Sequence, residues 1–178
     1  LRTGLQVGPD YLEKLFAALD KALMIDNEHF ALIYEEAVKK FRAAPSRPPT
    51  MADKVYPADS KLLEQVIQGY FDGLPQEMEK TAENSEIRGI VSPHIDYQRG
   101  GPIYAGVWRR AAKAAQDTDV AIILGTNHFN GQKLVTLTRQ SYATPWGVLA
   151  TCDDVVNAVA SALGEDAVFA EEFNHRDG

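Results

Sequence analysis

Two histidines stand where a sheet protein would do chemistry. His94 follows the apolar run "RGIVSP", and His128 follows "DVAIILGTN". Each falls just past a short apolar stretch, in a turn rich in proline, glycine or asparagine. If both stretches are strands of one open α/β sheet, both histidines lie outside the carboxyl edge, where such sheets bind ligands. Neighbouring strands are only about 5 Å apart, so two imidazoles on adjacent tips can converge. Imidazole suits iron, copper, zinc and nickel. Two ligands do not complete a metal site, which usually takes three or four protein donors. Asp96 is the nearest third candidate, and its competing role is to cap a turn. A single loop histidine is an ordinary polar surface residue; the matched placement of two is what favours chemistry.

The residues around His94 add to this. Arg99 lies among glycines, where a guanidinium can grip a carboxylate or phosphate through two parallel hydrogen bonds. Tyr97 can donate a proton or orient a substrate, or simply pack beneath the loop. His175, in "EEFNHRDG", is a further candidate for the same cleft. The catalytic set expected from sequence is therefore His94, Tyr97, Arg99 and His175, with His94, His128 and Asp96 as metal ligands. Trp146, in "TPWG", is either a pocket wall or turn packing. Cys152 starts a helix, where a thiolate is favoured, but a lone cysteine without a histidine partner is usually inert. His29 reads as a surface residue. No GxGxxG, Walker, HExxH or GxSxG pattern occurs, and "GTNHFNG" lacks the Lys-Ser/Thr ending of a phosphate loop.

These groups must be carried by a fold that the composition allows. The chain has 178 residues, with 45% hydrophobic and 24% charged, and a formal charge of -7. That is the composition of a globular domain with a real core. The acidic balance argues against a nucleic-acid footprint and against electrostatic docking on anionic membrane. No apolar run approaches the length of a membrane span. A single cysteine fits a reducing cytoplasm and excludes an intrachain disulfide framework. The sequence opens on "LRTG" and closes on "NHRDG", which read as the ends of a fragment.

Periodicity divides the chain into a helical extension at 1–44, a proline-rich linker at 45–51 and an α/β region at 52–178. In the extension, Asp10 is placed to cap a helix with Leu12, Leu15, Phe16, Leu19 and Leu23 on one face, and Asn27 to cap a second. A helix after Tyr56-Pro57 should turn Leu62, Leu63, Val66, Ile67 and Tyr70 inward. Residues 79–86 read as a polar loop. Then strand and helix alternate: strands at "EIRGIVS", "DVAIILG", "QKLVTLT" and "AVFAEEF", and helices at "GPIYAGVWRRAAKAA", with Pro102 in its first turn, and "CDDVVNAVASAL". Such alternation predicts an α/β layered domain with a largely parallel sheet.

The stretches "ADKVYP", "PHIDY", "GTNH", "TPWG" and "EEFNHRDG" occur in the order and spacing of the Memo family over about residues 50–178, and the chain resembles an N-extended bacterial branch of it. The resemblance implies a three-layer α/β/α fold with a mostly parallel sheet, akin to class III extradiol dioxygenases, preceded by a helical, winged-helix-like extension. It implies that His94 and His128 match two family metal ligands. The remaining family ligands, a later histidine and a late cysteine, would fall beyond Gly178, so the chain would hold the first part of the domain. Cys152 does not match that late cysteine. Asp96 stands where the family has glycine and Arg99 where it has tyrosine, so these two positions are where ligation and substrate charge would differ.

The function these observations imply is a metal-dependent, dioxygenase-like redox activity using iron (Fe2+) or copper on a small anionic or aromatic substrate. The alternative is a non-catalytic module that binds a protein or peptide through the same cleft and the helical extension. A zinc hydrolase is a third reading, with Asp96 as the only nearby carboxylate. Whether the cleft is catalytic stays open, and an oligomer is compatible with either reading.

Overall fold

The computed structural model describes residues 8–76, 87–129 and 131–177. By its internal contacts the chain separates into two compact units, Leu1–Ala44 and Pro45–Gly178. The polar loop expected at 79–86 lies outside the described residues.

The first unit contains α1 (Pro9–Lys21) and α2 (Glu28–Ala43). Gly8, not Asp10, is the N-cap of α1. Pro9 takes the first helical position, where its missing N–H and fixed φ cost nothing, so the helix starts before the expected cap and Asp10 lies in its first turn. Leu23 adopts φ 57°, which breaks the helix before the second begins. Asn27 caps α2 as expected, its side chain accepting from the Phe30 N–H at 2.9 Å. Its amide also donates to Asp20 at 2.6 Å, and His29 pairs with the same carboxylate at 3.2 Å. Asp20 is held below the usual carboxylate range, first by the Asn27 bond and then by His29.

The second unit opens with a parallel bridge between Arg47 and Tyr142. The Arg47 N–H donates to Ser141 O at 2.7 Å, and its carbonyl accepts from Ala143 N–H at 2.9 Å. The proline-rich stretch expected to be a linker is therefore built into this unit at Arg47. Next comes α3 (Ser60–Asp72), capped by Asp59 through the Leu62 N–H at 2.9 Å. Of the five residues expected to face inward, only Leu63 is fully buried, at 2% exposure; Leu62 and Val66 are exposed. Leu63, Ile67, Tyr70 and Leu74 follow the three-and-four spacing of one stripe, and Leu62 and Val66 fall on its flank.

The helix α4 (Tyr97–Gln116) begins well before the expected start at Gly101, because Asp96 caps it, accepting from the Arg99 N–H at 2.9 Å. Pro102 is consequently inside the helix rather than in its first turn, where it removes one backbone bond. The helix packs against α3. The Tyr70 ring lies 2.5 Å from where a Cβ on Gly101 would sit, so the close approach requires glycine. Ala105 and Ala111 of the same helix are also buried.

Two short antiparallel strands, β1 (Tyr142–Thr144) and β2 (Gly147–Leu149), form a hairpin. Thr144 Oγ1 fixes the "TPWG" turn by donating to Gly147 O at 2.9 Å and accepting from Trp146 N–H at 3.2 Å. Then follow α5 (Asp153–Leu163), α6 (Glu165–Phe169) and a 3-10 helix, Glu172–Arg176. The strand expected at "AVFAEEF" is thus helical. Gly164, Glu165 and Asp166 form a helix start, with acidic groups favoured by the helix dipole, and this outweighs the short apolar alternation.

The architecture is helix-rich with one small sheet. Among the described residues, 87–92, 119–125 and 132–138 are not hydrogen-bonded into strands, so the hairpin is the only sheet and no parallel ladder is seen. Val91 is 93% exposed and Leu124 is 91% exposed. An apolar run becomes a fully buried strand only when it has neighbours on both edges and cover on both faces, and these runs have neither here. The stretch 136–140 is held instead by the helices after it. The Leu137 N–H donates to Val168 O at 2.8 Å, and buried Thr138 donates to buried Glu172 at 3.1 Å.

Candidate functional site

His94 and His128 come from two separate loops, each at the end of an exposed apolar run. Their rings meet with centroids 5.5 Å apart and planes tilted by 37°. Both side chains are exposed. With metal–nitrogen bonds of about 2.1 Å and ring nitrogens roughly 1.1 Å from their centroids, two imidazoles sharing one tetrahedral ion have centroids about 5 Å apart. The observed separation fits that requirement. No group of three histidine, cysteine or acidic side chains suited to a metal occurs among the described residues, so the pair fits as two members of a larger donor set.

The backbone on the His94 side is fixed by a residue that the sequence reading missed. Tyr104, one turn along α4 from Gly100, donates its hydroxyl to Ile95 O at 2.8 Å and accepts from Ile95 N–H at 3.0 Å. This two-way clasp ties the residue after His94 to the helix. Glycine at position 100 leaves room for the Tyr104 ring beside Ile95. A tyrosine four residues after a glycine on a helix face was the available signal.

Asp96 acts as a cap. Besides the Arg99 N–H, its Oδ2 takes the Arg99 Nε at 2.5 Å. These bonds, the backbone one first, hold its carboxyl below the usual range. Its oxygens are thereby engaged on α4, and the capping role weighed at the outset is the one seen. Arg99 itself is exposed. Its Nε is used by Asp96, which leaves its two terminal nitrogens as the atoms that would meet an anion.

Tyr97 is half-buried between Tyr56 and Tyr104, with ring centroids at 5.8 Å and 5.4 Å. Burial, with the two neighbouring tyrosines, pushes its hydroxyl above the usual tyrosine value. It stays protonated at neutral pH, so its hydroxyl can donate as well as accept a hydrogen bond.

His175 is differently placed. Its Nδ1 lies 2.8 Å from the Tyr142 hydroxyl and its Nε2 3.2 Å from Thr136 O. Since a carbonyl only accepts, Nε2 carries the proton and Nδ1 accepts from Tyr142. The His175 carbonyl accepts from the Arg47 Nε at 2.5 Å, and that guanidinium lies 4.7 Å from the Tyr142 ring centroid. Burial lowers the imidazole's proton affinity, ahead of the opposing Thr136 bond and Glu172 charge. Both ring nitrogens are thus engaged within a buried cluster. Cys152 is half-buried at the start of α5 and carries no cap bond. Trp146 is exposed in the hairpin turn.

A loop-borne histidine pair thus stands at the ends of two apolar runs, beside a capped helix start. The family model described as "Memo-like protein" matches residues 47–176. The chain belongs to the Memo family. A MEMO1 family protein of Nitrosopumilus maritimus is 28% identical over 132 residues, covering 72% of this chain and 46% of the relative. One from Methanococcoides burtonii is 30% identical over 129 residues, covering 72% of this chain and 45% of the relative. One from Aquifex aeolicus is 24% identical over 148 residues, covering 83% and 37% respectively. The chain spans about half the length, or less, of these curated relatives. No solved structure matches it significantly. No described helix is long and apolar enough to cross a membrane.

Proposed function

We propose that His94 and His128 are two ligands of a non-haem metal site, with iron or copper as the metal and zinc as the alternative, serving a dioxygenase-like redox reaction. The observation that carries this reading is the 5.5 Å approach of two exposed imidazoles from separate loops. Exposed imidazoles have no structural reason to be held together, whereas a shared ion rewards the arrangement. A metal of this kind, when bound, supplies a place where O2 and an anionic substrate meet. The chain's own groups would do the rest. Arg99 would attract and orient an anionic or aromatic acid, and the protonated Tyr97 would supply a hydrogen bond or proton. The further donors are ones that the described residues do not include, and a cytoplasmic setting would keep the metal reduced.

The test is metal uptake by the full chain and by His94→Ala, His128→Ala and the double variant, read by elemental analysis and by anomalous scattering at the iron, copper and zinc edges. Uptake that is lost in the double variant supports the reading. Stoichiometry unchanged in the double variant would sink it. A second reading, a non-catalytic peptide-binding module, draws support from the apolar surface on the helical extension, where Tyr11, Phe16 and Leu32 are all well exposed. It predicts peptide capture that requires residues 1–44, with no metal in the purified protein.

A further inference from the structure

Glu171 has no part in the site described so far, yet its carboxylate is built into the loop that carries His128. Its Oε1 accepts from the Gln132 N–H at 2.7 Å, across 39 residues of sequence. Its Oε2 is buried and has no hydrogen-bond partner among the described residues. That oxygen occupies the place a side chain on Gly131 would need, with Asn127 Nδ2 beside it. Gly131 is therefore the seat for the carboxylate, since any Cβ would evict it. Asn127 in turn closes an Asx turn around His128, its Oδ1 accepting from the Phe129 N–H at 3.0 Å. At the residue directly after His128, the Arg176 guanidinium lies 4.8 Å from the Phe129 ring centroid. Glu171 precedes the short 3-10 helix and Arg176 ends it. One short element thus contacts the chain just after His128 at two places, Phe129 and Gly131–Gln132.

A buried carboxylate oxygen without a donor is costly. An exposed loop histidine left to itself would sample many ring positions, and ordering it would weaken any ligand. We propose that Glu171 is a positioning residue for His128: its carboxylate, seated on Gly131 and bonded to the Gln132 N–H, fixes the chain just after His128 so that the imidazole is held against His94. Its consequence for metal affinity rests on the metal reading above; its consequence for the ring does not.

The experiment uses the full chain as wild type, Glu171→Ala, Glu171→Gln and Glu165→Ala, the last removing a surface carboxylate that pairs with Arg139. Two quantities are read: cobalt(II) affinity by absorbance, and the ring proton and nitrogen NMR signals of His94 and His128 without metal at fixed pH. Glu171→Ala should weaken cobalt binding by about tenfold or more, as removal of ligand-orienting groups does. It should also shift or broaden the His128 ring signals, and Glu171→Gln, which keeps the Oε1 acceptor, should restore most of both. If Glu171→Ala does not fold, Glu171→Asp, one methylene too short to reach Gln132, takes its place. His128 signals unchanged from wild type, or a cobalt loss matched by Glu165→Ala, would overturn the proposal. If wild type takes up no cobalt, the metal reading fails and the His128 ring signals alone decide the positioning role.

Discussion

The second unit treats its histidines in two opposite ways. His94 and His128 are exposed, sit on loops and approach each other. His175 is half-buried, with one ring nitrogen giving to Thr136 and the other taking from Tyr142. Around His175 the structure gathers its buried polar groups: Arg47 lies against His175 and Tyr142, and Glu172 receives Thr138. The contrast teaches that a histidine with both ring nitrogens satisfied is tied into the fold, while the exposed pair at the loop tips is the one on which the proposed metal reading rests. On this basis we read His175 as a strut of the fold rather than a wall of the cleft.

The difference can be broken from either side. The largest effect should come from Arg47→Met, which keeps bulk but removes the bond to the His175 carbonyl and the guanidinium over Tyr142. A loss of about 2–4 kcal/mol is expected in urea unfolding, as for a buried charged donor whose partners are left unpaired. A change below about 1 kcal/mol would mean that the buried cluster does not hold this unit together.

The next effect is a pH dependence. His175 folds with a proton affinity below its unfolded value, about 6.5. The unfolded chain therefore binds more protons between the folded and unfolded values, and stability must rise with pH across that window. Its contribution is present above about 6.5 and is lost as pH falls through the folded value, with a slope of at most about 1.4 kcal/mol per pH unit for one proton. His175→Gln should flatten that slope. An unchanged slope would assign the acid sensitivity to carboxylates.

Asp96→Ala should lower the melting temperature, since it removes the N-cap, and Asp96→Asn should lower it much less, because asparagine caps as well. Measured by thermal melting, equal losses in both variants would show that the ion pair with Arg99, not the cap, is what matters. The smallest change belongs to the exposed pair. His94→Ala and His128→Ala should each move stability by less than about 0.5 kcal/mol. A larger loss in either would make these histidines structural after all, and the contrast with His175 would collapse.

Much of the helical framework was legible. Asn27 before an apolar stripe announced α2, and the pattern after Tyr56-Pro57 announced α3. The start of α4 is hidden because Pro102 suits a first turn, while the stronger signal, Asp96 with its N–H donor three residues on, lies upstream. The segments 87–92, 119–125 and 132–138 read as strands on composition, yet short apolar runs acquire strand geometry only from neighbours that no local pattern contains. "AVFAEEF" failed for a local reason, since its apolar alternation is outweighed by a helix start at Gly164. At the site, the histidine pair could be suspected from matching turns. Tyr104 carried only the faint signal of a glycine one turn before it, and Glu171 carried none, because its partner is a backbone N–H 39 residues away.

The contact between Arg47 and the His175 carbonyl joins residues 128 apart. During synthesis at about 5–20 residues per second, Arg47 leaves the ribosome on the order of ten seconds before its acceptor exists. For that interval the nascent chain carries an unmatched guanidinium and a hairpin edge still to come, while α3 and α4 can already pack. Closure of this unit is therefore timed by translation, and slowing the ribosome between these codons would lengthen the exposure of its open form to chaperones and proteases.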